Sequence, residues 1–209
     1  MAEMIGYASR TGTKRNLDVL REQGFRLLVS AQGVLRTEGF DYALDNGAWT
    51  AHTKGQPFDD LKFTIALNRL GSLADWVVLP DIVGGGLKSL EMSLSWLDRV
   101  TDATDLALLP VQDGMEPVDV LPWLGPRVGI FVGGSTEWKV RTIGIWAQLA
   151  RECGVWCHVG RVNAKRRMEL CAQAGVTSFD GSGASKFAIH AKKQGRWKRQ
   201  QSLLVEVPQ

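Results

Sequence analysis

Short apolar runs separated by amphipathic stretches make up most of this chain. Eight runs read as strands: Met4–Ala8, Arg26–Ser30, Tyr42–Asp45, Trp76–Pro80, Leu106–Val111, Gly129–Val132, Val155–Val159 and Thr177–Asp180. Each is a continuous apolar run rather than an apolar/polar alternation, which suits parallel strands buried on both faces. Between them, apolar residues recur at helical steps. Thr13 stands where a helix carrying Leu17 and Leu20 begins. Phe63, Leu67 and Leu70 form one stripe, and Leu87, Leu90, Leu94 and Leu97 another. Thr142, Ile145, Trp146 and Leu149 form a third, and Asn163 is placed to cap a helix holding Met168 and Cys171. Gly33–Phe40 is short and weakly helical.

Eight strand-then-helix units predict a minimal (β/α)8 barrel, a single domain over residues 1–209. The same alternation also builds a doubly wound open sheet. The first strand, however, runs into Tyr7-Ala-Ser-Arg-Thr-Gly-Thr13, which lacks the dinucleotide glycine fingerprint.

Composition narrows the class. The chain is 44% hydrophobic and 22% charged, which excludes a disordered or fibrous protein. No run approaches the roughly 18 apolar residues of a membrane span. The first residues lack the basic-then-apolar layout of a secretory signal, so the expectation is a cytoplasmic protein with no membrane partner. The three cysteines, Cys153, Cys157 and Cys171, are odd in number, which argues against a disulfide framework. Cys153 and Cys157 stand at a spacing that zinc ligands sometimes use. One reads as a helix end and the other as a strand residue, so buried free thiols are the favoured reading and no metal site is assigned.

A net charge of +3 is too mild to establish nucleic-acid binding, so its distribution must carry that case. The C-terminal stretch concentrates Lys186, Lys192, Lys193, Arg196, Lys198 and Arg199 around Trp197. It reads either as a phosphate-holding segment with a stacking residue or as a solvated helix end.

The chemistry lies at the strand ends. The third ends in Asp45-Asn-Gly-Ala-Trp49 and the fourth in Pro80-Asp81 followed by Gly84-Gly-Gly86. The fifth ends in Val111-Gln-Asp-Gly114, the sixth in Gly133-Gly134, the seventh in His158-Val-Gly-Arg161 and the eighth in Phe179-Asp180. In a barrel these ends meet on one rim, where barrel enzymes do chemistry. Asp45, Asp81, Gln112, Asp113, His158, Arg161 and Asp180 then line one pocket. Each has a plainer reading beside the functional one. Asp113 before a glycine is a turn former or cap. Gly133-Gly134 is either a tight turn or a place where a flat ligand meets backbone N–H groups. His158 is either a satisfied core histidine or a site residue. Arg161 binds a phosphate or pairs with a carboxylate. Carboxylates accept from the amino and ring N–H groups of a purine-like base, Gln both donates and accepts, and a further carboxylate can attack an anomeric carbon.

These motifs, in this order over about residues 40 to 185, resemble the tRNA-guanine transglycosylase superfamily, most closely its small DNA-modifying relatives in phages and bacterial genomic islands. The resemblance implies exchange of guanine in DNA, with tRNA as the other polymer, for a free 7-deazaguanine base such as 7-cyano-7-deazaguanine, with no redox cofactor. It implies Asp180 as nucleophile, Asp45 as general acid/base, and Asp81, Gln112 and the Gly133–Gly134 backbone around the base. Asp113, His158, Gly160 and Arg161 fall in the matching substrate-binding segments. Nucleic-acid contacts then fall to Lys192, Lys193, Arg196, Lys198 and Arg199. The tRNA enzymes carry a zinc site of cysteines and a histidine after the nucleophile, whereas no cysteine follows Asp180 here. That departure, and the short chain, favour DNA. The alternatives are a tRNA enzyme, a nucleoside hydrolase or base-excising glycosylase on the same barrel, and a non-catalytic nucleic-acid-binding barrel.

Overall fold

A computed structural model describes residues 4–10, 13–186 and 191–195. Eight parallel strands close into a barrel in sequence order, β8 pairing back onto β1. They are β1 (Ile5–Ser9), β2 (Arg26–Ser30), β3 (Tyr42–Asp45), β4 (Val77–Val78), β5 (Ala107–Val111), β6 (Val128–Val132), β7 (Cys157–Val159) and β8 (Ser178–Gly181). The expected strands all form, and closure settles the choice against an open sheet. The helices include α1 (Lys14–Glu22), α2 (Ala48–Thr53), α3 (Asp60–Leu70), α4 (Leu87–Ser95), α5 (Leu97–Thr101), α6 (Pro117–Val120), α7 (Thr136–Cys153), α8 (Lys165–Ala174) and α9 (Gly183–Lys186).

Three local expectations are corrected. The connection from β2 to β3 holds no helix, because Glu38 and Gly39 both take positive φ (52° and 73°), which a right-handed helix does not allow. Asn163 does not cap α8; Ala164 occupies that position, and Asn163 Oδ1 instead accepts the Gly183 N–H at 3.0 Å. Ile145 points out of α7, whose inward face carries Trp138, Lys139, Ile143, Trp146, Ala147, Leu149 and Ala150.

The core has two layers. One lies between the strands and the helices, with Leu20, Phe63, Leu67, Trp146 and Met168 among its members. The other fills the lumen with Tyr7, Ala43, Trp76, Val78 and Leu108, against which Phe131 packs. His158 joins this aromatic filling, stacked on Phe131 at 5.0 Å and 4.5 Å from Trp76. At the N-terminal end of the barrel, Tyr7 donates to Asp75 at 2.9 Å and Arg26 pairs with the same carboxylate at 2.7 Å. The lumen is therefore plugged below, and only the rim at the strand C-termini is left for chemistry.

Candidate active site

Asp45 is the last residue of β3, and its Oδ2 accepts the Gly47 N–H at 3.1 Å. Gly47 has φ 83°, and a Cβ there would lie 2.6 Å from Gln32 Cγ, so the turn needs glycine. Asn46, which the sequence reading passed over, is 2% exposed and joins two strand ends. Its Nδ2 donates to the Leu79 carbonyl and to Asp81 Oδ1, both at 2.7 Å, and its Oδ1 accepts from Ala48 N–H at 2.8 Å. Asn46 thereby fixes Asp81 against the end of the neighbouring strand β3.

Asp180 Oδ1 receives two hydrogen bonds, from His158 Nε2 at 3.1 Å and from the Arg161 backbone N–H at 3.2 Å. Among the described residues no hydrogen bond falls on Oδ2. The histidine tautomer follows from its neighbours. Trp156 Nε1 can only donate, and it donates to Ser178 Oγ at 2.8 Å. The Ser178 hydroxyl then gives its own hydrogen to His158 Nδ1, also at 2.8 Å, so Nε2 carries the ring proton toward Asp180. Burial keeps the imidazole below its ordinary pKa despite the Asp180 carboxylate, so it stays neutral. Of the two readings of His158, the structure supports a satisfied interior histidine that orients a site residue.

The three carboxylates share one electrostatic environment. Burial, then the charges of Asp180 and Asp81, push Asp45 up to about 7, against the opposing Gly47 N–H and Ser30 hydroxyl. Burial raises Asp81 to about 6, tempered by Asn46 and by the positive charge of Arg161. Arg161 reaches across the mouth. It takes φ 59°, its guanidinium donates to the Gly134 carbonyl, and it lies 4.1 Å above the ring of Trp49. It feels the charges of Asp180, Asp81 and Asp113, but among the described residues its guanidinium bonds the Gly134 carbonyl rather than a carboxylate.

Other expected base-binding groups are used by the fold. Gln112 is buried; its Oε1 accepts from Gly84 N–H at 2.6 Å and its Nε2 donates to the Ile82 carbonyl at 2.9 Å, clamping the loop after β4. Asp113 accepts from the Ser135 N–H at 2.6 Å and hydroxyl at 2.7 Å. Burial alone would raise Asp113, but the Ser135 bonds outweigh it and hold the carboxyl below its ordinary range. Gly134 has φ 70°, and a Cβ there would meet Asp113 Oδ2 at 2.6 Å, so this glycine is required by the turn and its packing. Gly133 donates its N–H to the Val111 carbonyl at 2.8 Å. Gly160 packs where a Cβ would meet Phe131 Cζ at 2.9 Å and Asp180 Oδ1 at 3.4 Å.

Lys192 and Lys193 are exposed; Arg196, Lys198 and Arg199, with Trp197, lie outside the described residues. The cysteines are free. Among the described residues no group of His, Cys, Asp or Glu could hold a metal ion, and the chain has no cysteine after Asp180 to supply the zinc donors of the tRNA enzymes. No described helix is long and apolar enough to cross a membrane.

No protein-family model matches the chain, and no curated protein does. Solved structures do. Triosephosphate isomerase from Bartonella henselae superposes with a TM-score of 0.54 at 14% identity, over 93% of this chain and 98% of that one. RipC from Yersinia pestis gives 0.52 at 10% identity over 92% and 95%. QR15, described as an aldolase, gives 0.51 at 10% identity over 93% and 96%. At these identities the likeness is one of fold, and the chain is a (β/α)8 barrel.

Proposed function

We propose that the chain is an enzyme that exchanges guanine in DNA for a free 7-deazaguanine base through a glycosyl-aspartyl intermediate. One observation carries the reading: Asp45, Asp81 and Asp180, from three separate strand ends, lie close enough at one mouth for their charges to act on Asp45. A non-catalytic phosphate-binding barrel would gain nothing from concentrating negative charge there.

In this reading Asp180 Oδ2 attacks C1′ of the target nucleotide. The C1′–N bond breaks and its electron pair leaves with the base, which takes a proton from Asp45. In the second half the incoming base gives its ring N–H proton to Asp45 as its nitrogen attacks C1′, and the ester bond to Asp180 breaks. A carboxyl that ionises at about 7 suits both transfers. Asp81 accepts from the N–H groups of either base. A target base inside a duplex is out of reach, so it flips out or is single-stranded. Lys192 and Lys193 are exposed and available to phosphates.

The test is mass spectrometry of DNA incubated with the protein and isotope-labelled 7-cyano-7-deazaguanine. Label in the DNA with release of guanine is the expected result. Guanine release without label points to a hydrolase, and salt-sensitive DNA binding with neither outcome points to a binding protein.

A further inference from the structure

Among the described residues, one buried charge takes no part in the proposed exchange. Lys139 lies on the inward face of α7 and is only 2% exposed. Its Nζ donates to the Gly160 carbonyl at 2.5 Å. That carbonyl belongs to the same peptide unit as the Arg161 N–H, which points the other way, onto Asp180 Oδ1. One peptide plane therefore spans the gap between a buried ammonium and the carboxylate. The Arg161 end of this unit is held at φ 59°, a left-handed conformation that disfavours a non-glycine residue. Gly160 is also fixed from its other side, by its own N–H on the Val132 carbonyl at 3.0 Å.

We infer that Lys139 is a positioning residue for Asp180, acting through the Gly160–Arg161 peptide and resting on the reading of Asp180 as nucleophile. The ammonium holds the carbonyl outward, which aims the amide inward and polarises it, strengthening its bond to Oδ1. With His158 on the same oxygen, Oδ1 is committed and Oδ2 is presented to the ligand. The groups that face Lys139 are Arg161 after β7, Asp180 on β8, and Arg167 and Cys171 on α8. Burial first, then the like charges of Arg161 and Arg167, bring the ammonium down to about 8, against the pull of Asp180 and Cys171.

The link can be read without any assay of activity. In the isotope-labelled wild-type protein, the Gly160 carbonyl carbon and the Arg161 amide proton should shift together with the Lys139 Cε signal, with one midpoint near 8. Gly160 and Arg161 signals that stay still while Lys139 titrates would overturn the inference. In a folded Lys139→Met protein that shared transition should vanish, and its survival would likewise count against Lys139. In the base-exchange assay, Lys139→Met should lose roughly 10- to 100-fold in kcat, the range expected when a hydrogen bond to a charged group is removed. KM for the free base should stay within about twofold, and Lys139→Arg should recover part of the rate. Wild-type kcat in Lys139→Met would refute the inference. A wild-type protein that exchanges no base fails the proposed function alone, because the titration still decides the role of Lys139.

Discussion

His158 Nε2 lies 3.1 Å from Asp180 Oδ1, and the ring that carries it has no exposed surface. The histidine is tied from below by Ser178, itself tied by Trp156, so it can point only one way. A charged site residue thus stands on a chain of interior hydrogen bonds rather than on a loop.

His158→Phe keeps a flat ring against Phe131 and Trp76 but removes the Nε2 hydrogen and the acceptor for Ser178. Base exchange should fall about 10- to 100-fold, while the fold loses about 1–3 kcal/mol from the unpaired serine. Single-turnover kinetics and thermal unfolding read the two effects separately. Full activity in this variant would remove His158 from any role in orienting Asp180.

Asp45 makes stability depend on pH. Its carboxyl ionises at about 7 in the folded chain and near 3.9 when unfolded. Between those values the folded state holds the extra proton, so its contribution is favourable at low pH and lost as pH rises toward 7. Asp45→Asn should therefore stabilise the protein by about 1–3 kcal/mol at pH 8, after allowing for partial solvent screening, with no gain near pH 4. Thermal midpoints of both proteins at the two pH values check the sign. The same variant should bind the base while losing the transition near pH 7 in the exchange rate.

Asn46 should prove as important as the carboxylates it flanks. Asn46→Leu removes three hydrogen bonds in a buried place and frees the Leu79 carbonyl. A loss of about 2–4 kcal/mol is expected in denaturant unfolding. Asp81 also loses the partner that tempers its rise, so its carboxyl should titrate above 6 in carbon-13 NMR.

Gly134→Ala tests the turn after β6. The new methyl would meet Asp113 Oδ2 at 2.6 Å and Trp138 Cε3 at 2.8 Å, in a left-handed conformation. Destabilisation of about 2 kcal/mol or more is expected by calorimetry. Gly133→Ala, whose Cβ would come no nearer than 3.4 Å to the Val111 carbonyl, should be milder.

The barrel was legible because parallel strands buried on both faces leave continuous apolar runs, and because polar residues cluster where those runs stop. Asp45, Asp81 and Asp180 could be read for that reason. The connection between β2 and β3 was misread because the positive φ of Glu38 is not encoded by residue type. Lys139 was invisible: a lysine in a helical pattern reads as solvated, and only the Gly160 carbonyl, 21 residues away, explains its burial. Gln112 reads from its motif as a base contact, and Asn46 carries no signal of its own. Their amides are set by backbone groups of other strands, such as Leu79 and Gly84, that local sequence does not show.

In the proposed exchange Asp180 bonds to the sugar. Quenching the protein with guanine-containing DNA, digesting both polymers and weighing the peptide that contains Asp180 tests it most directly. A deoxyribosyl-bearing peptide that is absent from Asp180→Asn and disappears on adding free 7-deazaguanine base is the predicted result. An unmodified Asp180 peptide under conditions where labelled base enters the DNA, or undiminished exchange by Asp180→Asn, would contradict it.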